Sequence, residues 1–143
     1  MVQKYLSKIS GPLLDRIDLH VEVTPVNFNE LSSERLSEKS ETIRERVIEA
    51  RNTQTIRFEE KEEVFCNAQM SPNMVRNICR INESGQVLLK QAMEKLGLSA
   101  RAYDRILKVS RTIADLAGTE EIQLEHLAEA IHYRSLDREG WAG

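Results

Sequence analysis

Residues 99–118, SARAYDRILKVSRTIADLAG, leave the backbone little choice. Tyr103, Ile106, Leu107, Ser110, Ile113, Ala114 and Ala117 recur at i, i+3, i+4 and i+7, the stripe of one face of an α-helix. Ser99 is a residue type that accepts a hydrogen bond from the first free amides of a helix, and Gly118 one that closes a helix in the left-handed region. A helix with so regular an apolar stripe gains most of its stability from what covers that stripe. The rest of the chain must therefore supply partner faces.

Most of them also read as helices. Residues 40–58 carry Ser40 as a cap and Ile43, Val47 and Ala50 on one face, with charged residues over most of the remainder. Residues 71–81 begin with Ser71 as N-cap and Pro72 at the first helical position. Their apolar positions are Met74, Val75, Ile78 and Cys79. A helix from about Gly85 turns Val87, Leu88, Ala92 and Leu96 inward and ends at Gly97. The last helix, in 119–134, turns Leu124, Leu127, Ala128 and Ile131 inward. Residues 59–63, EEKEE, are a solvated acidic run, and 64–70 are ambiguous. One segment has a different period. In 17–23, Ile17, Leu19, Val21 and Val23 alternate with Asp18, His20 and Glu22, which predicts a strand ended by Thr24-Pro25. The polar stretch 26–39 reads as a linker, and the tail from Ser135 on is polar, with Trp141 able to fold back. The fold class is mainly α: a small bundle of four to five helices carrying an N-terminal strand remnant.

A chain of 143 residues with 41% hydrophobic and 30% charged residues suits one soluble domain. Its net charge of -3 gives it no field that recruits nucleic acid as a whole. No apolar run approaches the length of a membrane span, and the N-terminus has no signal-peptide core. Cys66 and Cys79 lack metal or redox spacing and read as reduced thiols.

No GxxxxGK[ST] or GxGxxG loop is present, and no Ser-His-Asp or Cys-His constellation is legible. His126 and Glu129 stand i, i+3 but want a third ligand, and His20 and His132 stand alone, so no metal site is expected. Two arginines carry more. Arg16 sits in LLDRIDL, at a turn before the strand, between Asp15 and Asp18. It either pairs with one of those carboxylates or projects its guanidinium to charge developing on a neighbouring subunit's phosphoryl group. Arg101 lies in the first turn of the 99–118 helix, on a basic stripe with Arg105 and Lys108. A cation at the positive end of a helix is locally unfavourable, and together with the free amides it welcomes an anion such as phosphate. The plainer alternative is a solvated basic face.

YLSKISGPLLDRIDLHVEV, GLSARAYDRILKVSRTIADLAG and HLAEAIHYRSLDR closely resemble the C-terminal third of the magnesium-chelatase-like AAA+ ATPases of the ComM/YifB type. These bacterial proteins are related to magnesium chelatase subunit I. The resemblance runs along nearly the whole chain and is least distinctive around 59–70. It implies a parent that is an ATP- and magnesium-dependent, hexameric homo-oligomeric ring with its nucleotide between subunits. Arg16 is then the arginine finger, acting in trans. Ser99-Ala100-Arg101 matches the second-sensor start of the lid, so that Arg101 reads a phosphate of ATP, with Ser99 and Arg105 beside it. Residues 1–25 become a remnant of the AAA+ core, 26–39 the linker, 40–134 the helical lid and 135–143 a tail.

The phosphate loop, the magnesium-binding acidic residues and most of the core sheet are missing from the chain. It is therefore expected to be a fragment that does not hydrolyse ATP and holds neither ATP nor magnesium on its own. The strand 17–23, its sheet neighbours absent, is expected to be disordered, folded onto the bundle or paired with another copy. The resemblance implies a cytoplasmic motor that remodels DNA, of the kind that drives branch migration during uptake of foreign DNA. A true magnesium chelatase subunit is the alternative within the family, although nothing in the sequence forms a porphyrin pocket. Outside the family, 113–131 has the rhythm of a helix-turn-helix, but the would-be recognition helix offers Glu125, His126 and Glu129, and the acidity of its two glutamates repels phosphate. A purely structural or oligomerisation domain is the remaining class, and it leaves both arginines unexplained.

Overall fold

The computed structural model describes residues 37–134, together with residues 13, 16–21, 23 and 25. The segments 1–12 and 26–36, which take in most of the expected linker, and the tail 135–143 with Trp141, lie outside the described residues. Within residues 37–134 five helices follow one another: α1 (Ser40–Arg57), α2 (Pro72–Ile78), α3 (Glu83–Leu96), α4 (Ala100–Leu116) and α5 (Leu124–His132), with a 3-10 turn at Asn67–Gln69 between the first two.

α4, the helix with the most regular stripe, is the hub. It packs against α1, α2, the 3-10 turn and α5, while α3 closes onto α5. The Ser99 hydroxyl accepts from the Ala102 amide at 3.3 Å, the expected cap. At the other end Gly118 takes φ +68° and the Thr119 amide reaches back to the Ala114 carbonyl at 2.9 Å. That arrangement satisfies carbonyls the helix leaves open. Gly97 ends α3 in the left-handed region at φ 55°, as expected. Ser71 caps α2 from the residue before Pro72, through the Met74 amide.

Phe58, Met70, Val75, Cys79, Leu89, Ile106, Leu107, Ala114, Ile122, Leu127 and Ala130 form one continuous core. Each large aliphatic side chain fully buried there contributes about 1.5–3 kcal/mol. The inward faces differ in places from those expected. Val87 and Leu124 are exposed, and Leu89 and Ala130 are buried instead. Tyr103 and Ala117 lie at the margin of the α4 stripe rather than within it.

α1 departs most. Ser40 is its first residue rather than its cap, which is Lys39 with no side-chain hydrogen bond. Of the expected face only Ala50 is buried; Ile43 and Val47 are more than 40% exposed. The reason is where the helix docks. Only its C-terminal half, through Ala50, Gln54 and the following Phe58, meets the bundle.

Residues 17–21 make no strand ladder among the described residues. Of the three fates open to an unpaired segment, this stretch shows contact with the bundle. The His20 amide donates to the Tyr133 carbonyl at 3.0 Å. Its apolar residues Ile17, Leu19 and Val21 remain largely exposed, as expected of a period-2 face without a sheet partner.

Candidate functional site

The start of α4 holds Ser99 and Arg101, the residues at which a phosphate is expected from sequence. Ser99, in extended conformation, turns the chain into the helix, and its hydroxyl is occupied by capping. Arg101, two residues on, is exposed and makes no hydrogen bond or ion pair with the described residues. Its guanidinium stands at the positive end of a 17-residue helix with no acid in the first turn. This end of the helix suits an anion.

The other two cations of the stripe are committed. Arg105 forms an ion pair with Asp18, and the Lys108 ammonium donates to the Ala68 carbonyl at 2.9 Å. A solvated basic face therefore narrows to one uncommitted cation, Arg101. Arg16 is exposed, in a turn closed by its own amide donating to the Leu13 carbonyl at 2.9 Å. Asp18, one of the two carboxylates considered as its partner, pairs instead with Arg105. The other, Asp15, lies outside the described residues. The Arg16 turn and α4 are thus joined through the Asp18–Arg105 pair.

His126 is buried, and its Nδ1 accepts from the Gln123 amide at 3.1 Å. The Glu129 carboxylate accepts from the Tyr133 hydroxyl at 3.2 Å. Among the described residues no cluster of three or more His, Cys, Asp or Glu could hold a metal ion. The exposed Arg101 at a helix start suits an anion, and the described residues form no ligand set for magnesium. Both cysteines are free thiols, and burial pushes the Cys79 thiol up to about 11.

Behind α4 lies a buried polar network that sequence reasoning missed. Asp115, with no exposed side-chain surface, accepts from Arg57, from the Asn67 amide nitrogen at 2.8 Å and from Arg111 Nε at 3.1 Å. Arg111 also donates to the Thr119 and Glu120 carbonyls at 2.6 and 2.5 Å. Burial alone would raise the Asp115 pKa. The hydrogen bonds from Arg57 and Asn67 and the charges of Arg57 and Arg111 outweigh it and hold the carboxyl below its ordinary value. The signal was present in part: Arg111 and Asp115 are i, i+4 and border the apolar stripe of α4. Arg134 was missed as well. It is 1% exposed, and it follows Leu127 and Ile131 at i+7 and i+3, where the inward face of α5 continues past the helix end.

The fold and these contacts define a class: a small, wholly helical domain in its described residues, with an N-terminal segment laid against it and an exposed cation at the start of its central helix. The model of the magnesium chelatase, subunit ChlI C-terminal family matches residues 37–134, and that of magnesium chelatase, subunit ChlI, matches residues 1–31. The chain belongs to the magnesium chelatase subunit ChlI C-terminal family. It is 42% identical over 139 residues to the competence protein ComM of Haemophilus influenzae, covering 96% of this chain and 26% of that protein. It is 38% identical over 136 residues to the YifB protein of Escherichia coli, covering 94% of this chain and 26% of YifB. A Mycobacterium tuberculosis relative is 33% identical over 132 residues, covering 92% of this chain and 26% of that protein. The chain thus spans about a quarter of the length of these relatives. No helix among the described residues is long and apolar enough to cross a membrane.

Proposed function

We propose that this chain is the helical lid, with the adjoining finger segment, of an ATP-driven ring motor of the magnesium-chelatase-like AAA+ class. In this reading Arg101 is the second sensor, contacting a phosphate of ATP from the first turn of α4. Arg16 is the arginine finger, reaching the nucleotide held by the neighbouring subunit of a hexameric ring. Residues 1–25 are then the end of the AAA+ core and 40–134 the lid. The observation that carries the reading is the uncommitted Arg101 at the positive end of the best-formed helix, where Arg105 and Lys108 each have a protein partner. An exposed cation held in that place does nothing for the fold and suits an anionic ligand.

ATP and magnesium belong to the whole ring. The phosphate-binding loop and the acidic magnesium ligands have no counterpart in this chain, which contributes cationic side chains to a site built mostly elsewhere. The cytoplasm is the compartment such a motor would work in. Its cargo is proposed to be DNA, since one similar protein is named for competence. Chelation is the second reading, and the family description favours it. Magnesium insertion into a porphyrin by the whole ring with its partner subunits would select that reading.

The test is Arg16→Ala and Arg101→Ala in the full-length ring. Both are expected to abolish ATP turnover while the protein still folds and assembles. Near-normal turnover in either variant removes the role assigned to that arginine.

A further inference from the structure

Arg134 is an arginine that the proposed chemistry does not use, yet it is almost fully buried, at 1% exposure, just beyond α5. A guanidinium in such a place is costly unless its donors meet acceptors. One of its terminal nitrogens donates to the carbonyl of Ile17, the residue next to Arg16 and 117 positions away in sequence. The preceding residue, Tyr133, offers its carbonyl to the His20 amide at 3.0 Å. From the side, Arg105 of α4 holds Asp18. Asp18 and Leu19 also wall a cavity of about 290 Å³ whose other sides include Lys108, Val109, Glu129 and Tyr133 of the bundle. Three of the four residues 17–20 are thus tied to the helical domain by polar contacts, with no ladder among the described residues.

We propose that Arg134, Asp18 and Arg105 are positioning residues that fix the Arg16 turn to the helical domain, so that the direction of Arg16 is set by α4 and the end of α5. The proposal rests on the reading of Arg16 as a finger. The three residues do not contribute equally. Asp18 and Arg105 are 49% and 29% exposed in their side chains, and such a pair is weak and screened by salt. Arg134 is buried, and its contact with the Ile17 carbonyl ties the burial of a charge to the path of the segment. A lid that moves would then carry the finger with it.

Two measurements decide the matter. In this chain, amide hydrogen exchange is followed at His20 and, as an internal reference, at Ala114 in the core of α4. Arg134→Gln is expected to speed exchange at His20 by about tenfold or more with Ala114 unchanged, the mark of local release rather than unfolding. Asp18→Asn removes an exposed charge and keeps the fold. It is expected to speed His20 exchange by about threefold in low salt and by less in high salt. Unchanged His20 exchange in Asp18→Asn, and in Arg134→Gln where that variant folds, overturns the proposal. In the full-length ring, the same substitutions are expected to lower kcat about tenfold with the KM for ATP unchanged, because they misplace a group that acts in the reacting complex. Normal kcat in these variants beside a dead Arg16→Ala also overturns it. Normal turnover in Arg16→Ala removes the finger reading alone, and the exchange measurement still reports whether the segment is held.

Discussion

Arg57 at the end of α1 grips Asp115 of α4 with both terminal nitrogens, at 2.8 and 2.5 Å, across 58 residues of sequence. The same carboxylate takes Asn67 and Arg111, so one buried acid binds α1, the 3-10 turn and α4. The pair works beside the buried apolar side chains of Ala50 and Phe58, which hold the same end of α1 to the bundle.

Removing the acid should be costly. Asp115→Ala leaves Arg111, 3% exposed, with an uncompensated charge. The expected loss is about 3–5 kcal/mol, read as a shift in the urea midpoint. A loss within the ordinary surface range would mean that the network is dispensable.

Acid should act through the same group. The folded-state pKa of Asp115 lies below its ordinary value of 3.8. Its contribution is therefore complete above that value and is lost as pH falls through the lowered folded-state value. Stability followed by denaturation from neutral pH down to strongly acid conditions should decline more steeply in the wild type than in Asp115→Asn. Parallel curves for the two proteins would contradict this.

The thiols should part company in labelling. Cys79 is buried and its pKa is raised to about 11, so almost none of it is thiolate at mildly alkaline pH. Iodoacetamide followed by mass spectrometry should modify the half-buried Cys66 in the folded protein and reach Cys79 only when the chain unfolds. Equal rates at both sites would show that the core opens easily.

Gly118 should resist substitution for conformational reasons alone. Its φ is +68° and a Cβ built there meets nothing within 4 Å. Gly118→Ala is expected to cost about 1–2 kcal/mol, the strain of an L side chain in the left-handed region. A thermal melt with no shift would mean that the turn relaxes without penalty.

The helices were legible because their punctuation is local. Ser71, Gly97, Ser99 and Gly118 each act on the chain within a few residues, and each sits where the spacing puts it. The buried polar network was not legible, because Arg57 and Asn67 join Asp115 only through tertiary packing. The face of α1 was misread for the same kind of reason: periodicity reports that a stripe exists, and not how much of it is covered. Of the candidate site, the exposed Arg101 and the capping Ser99 follow from sequence spacing. The commitment of Arg105 to Asp18 does not, since 87 residues separate the two. The aspartates beside Arg16 looked like its own partners, and the fold gave one of them to another arginine.

The unpacked half of α1 has a mechanical meaning. From Ser40 to Glu49 no residue is buried, so ten residues of helix, roughly 15 Å, run exposed ahead of a root at the buried Ala50 and Gln54. A tilt of about 10° at that root would carry the tip through roughly 2–3 Å, given that length. Small adjustments of the Arg57–Asp115 grip would in this way reach the chain entering at residue 39 as displacements large enough to matter.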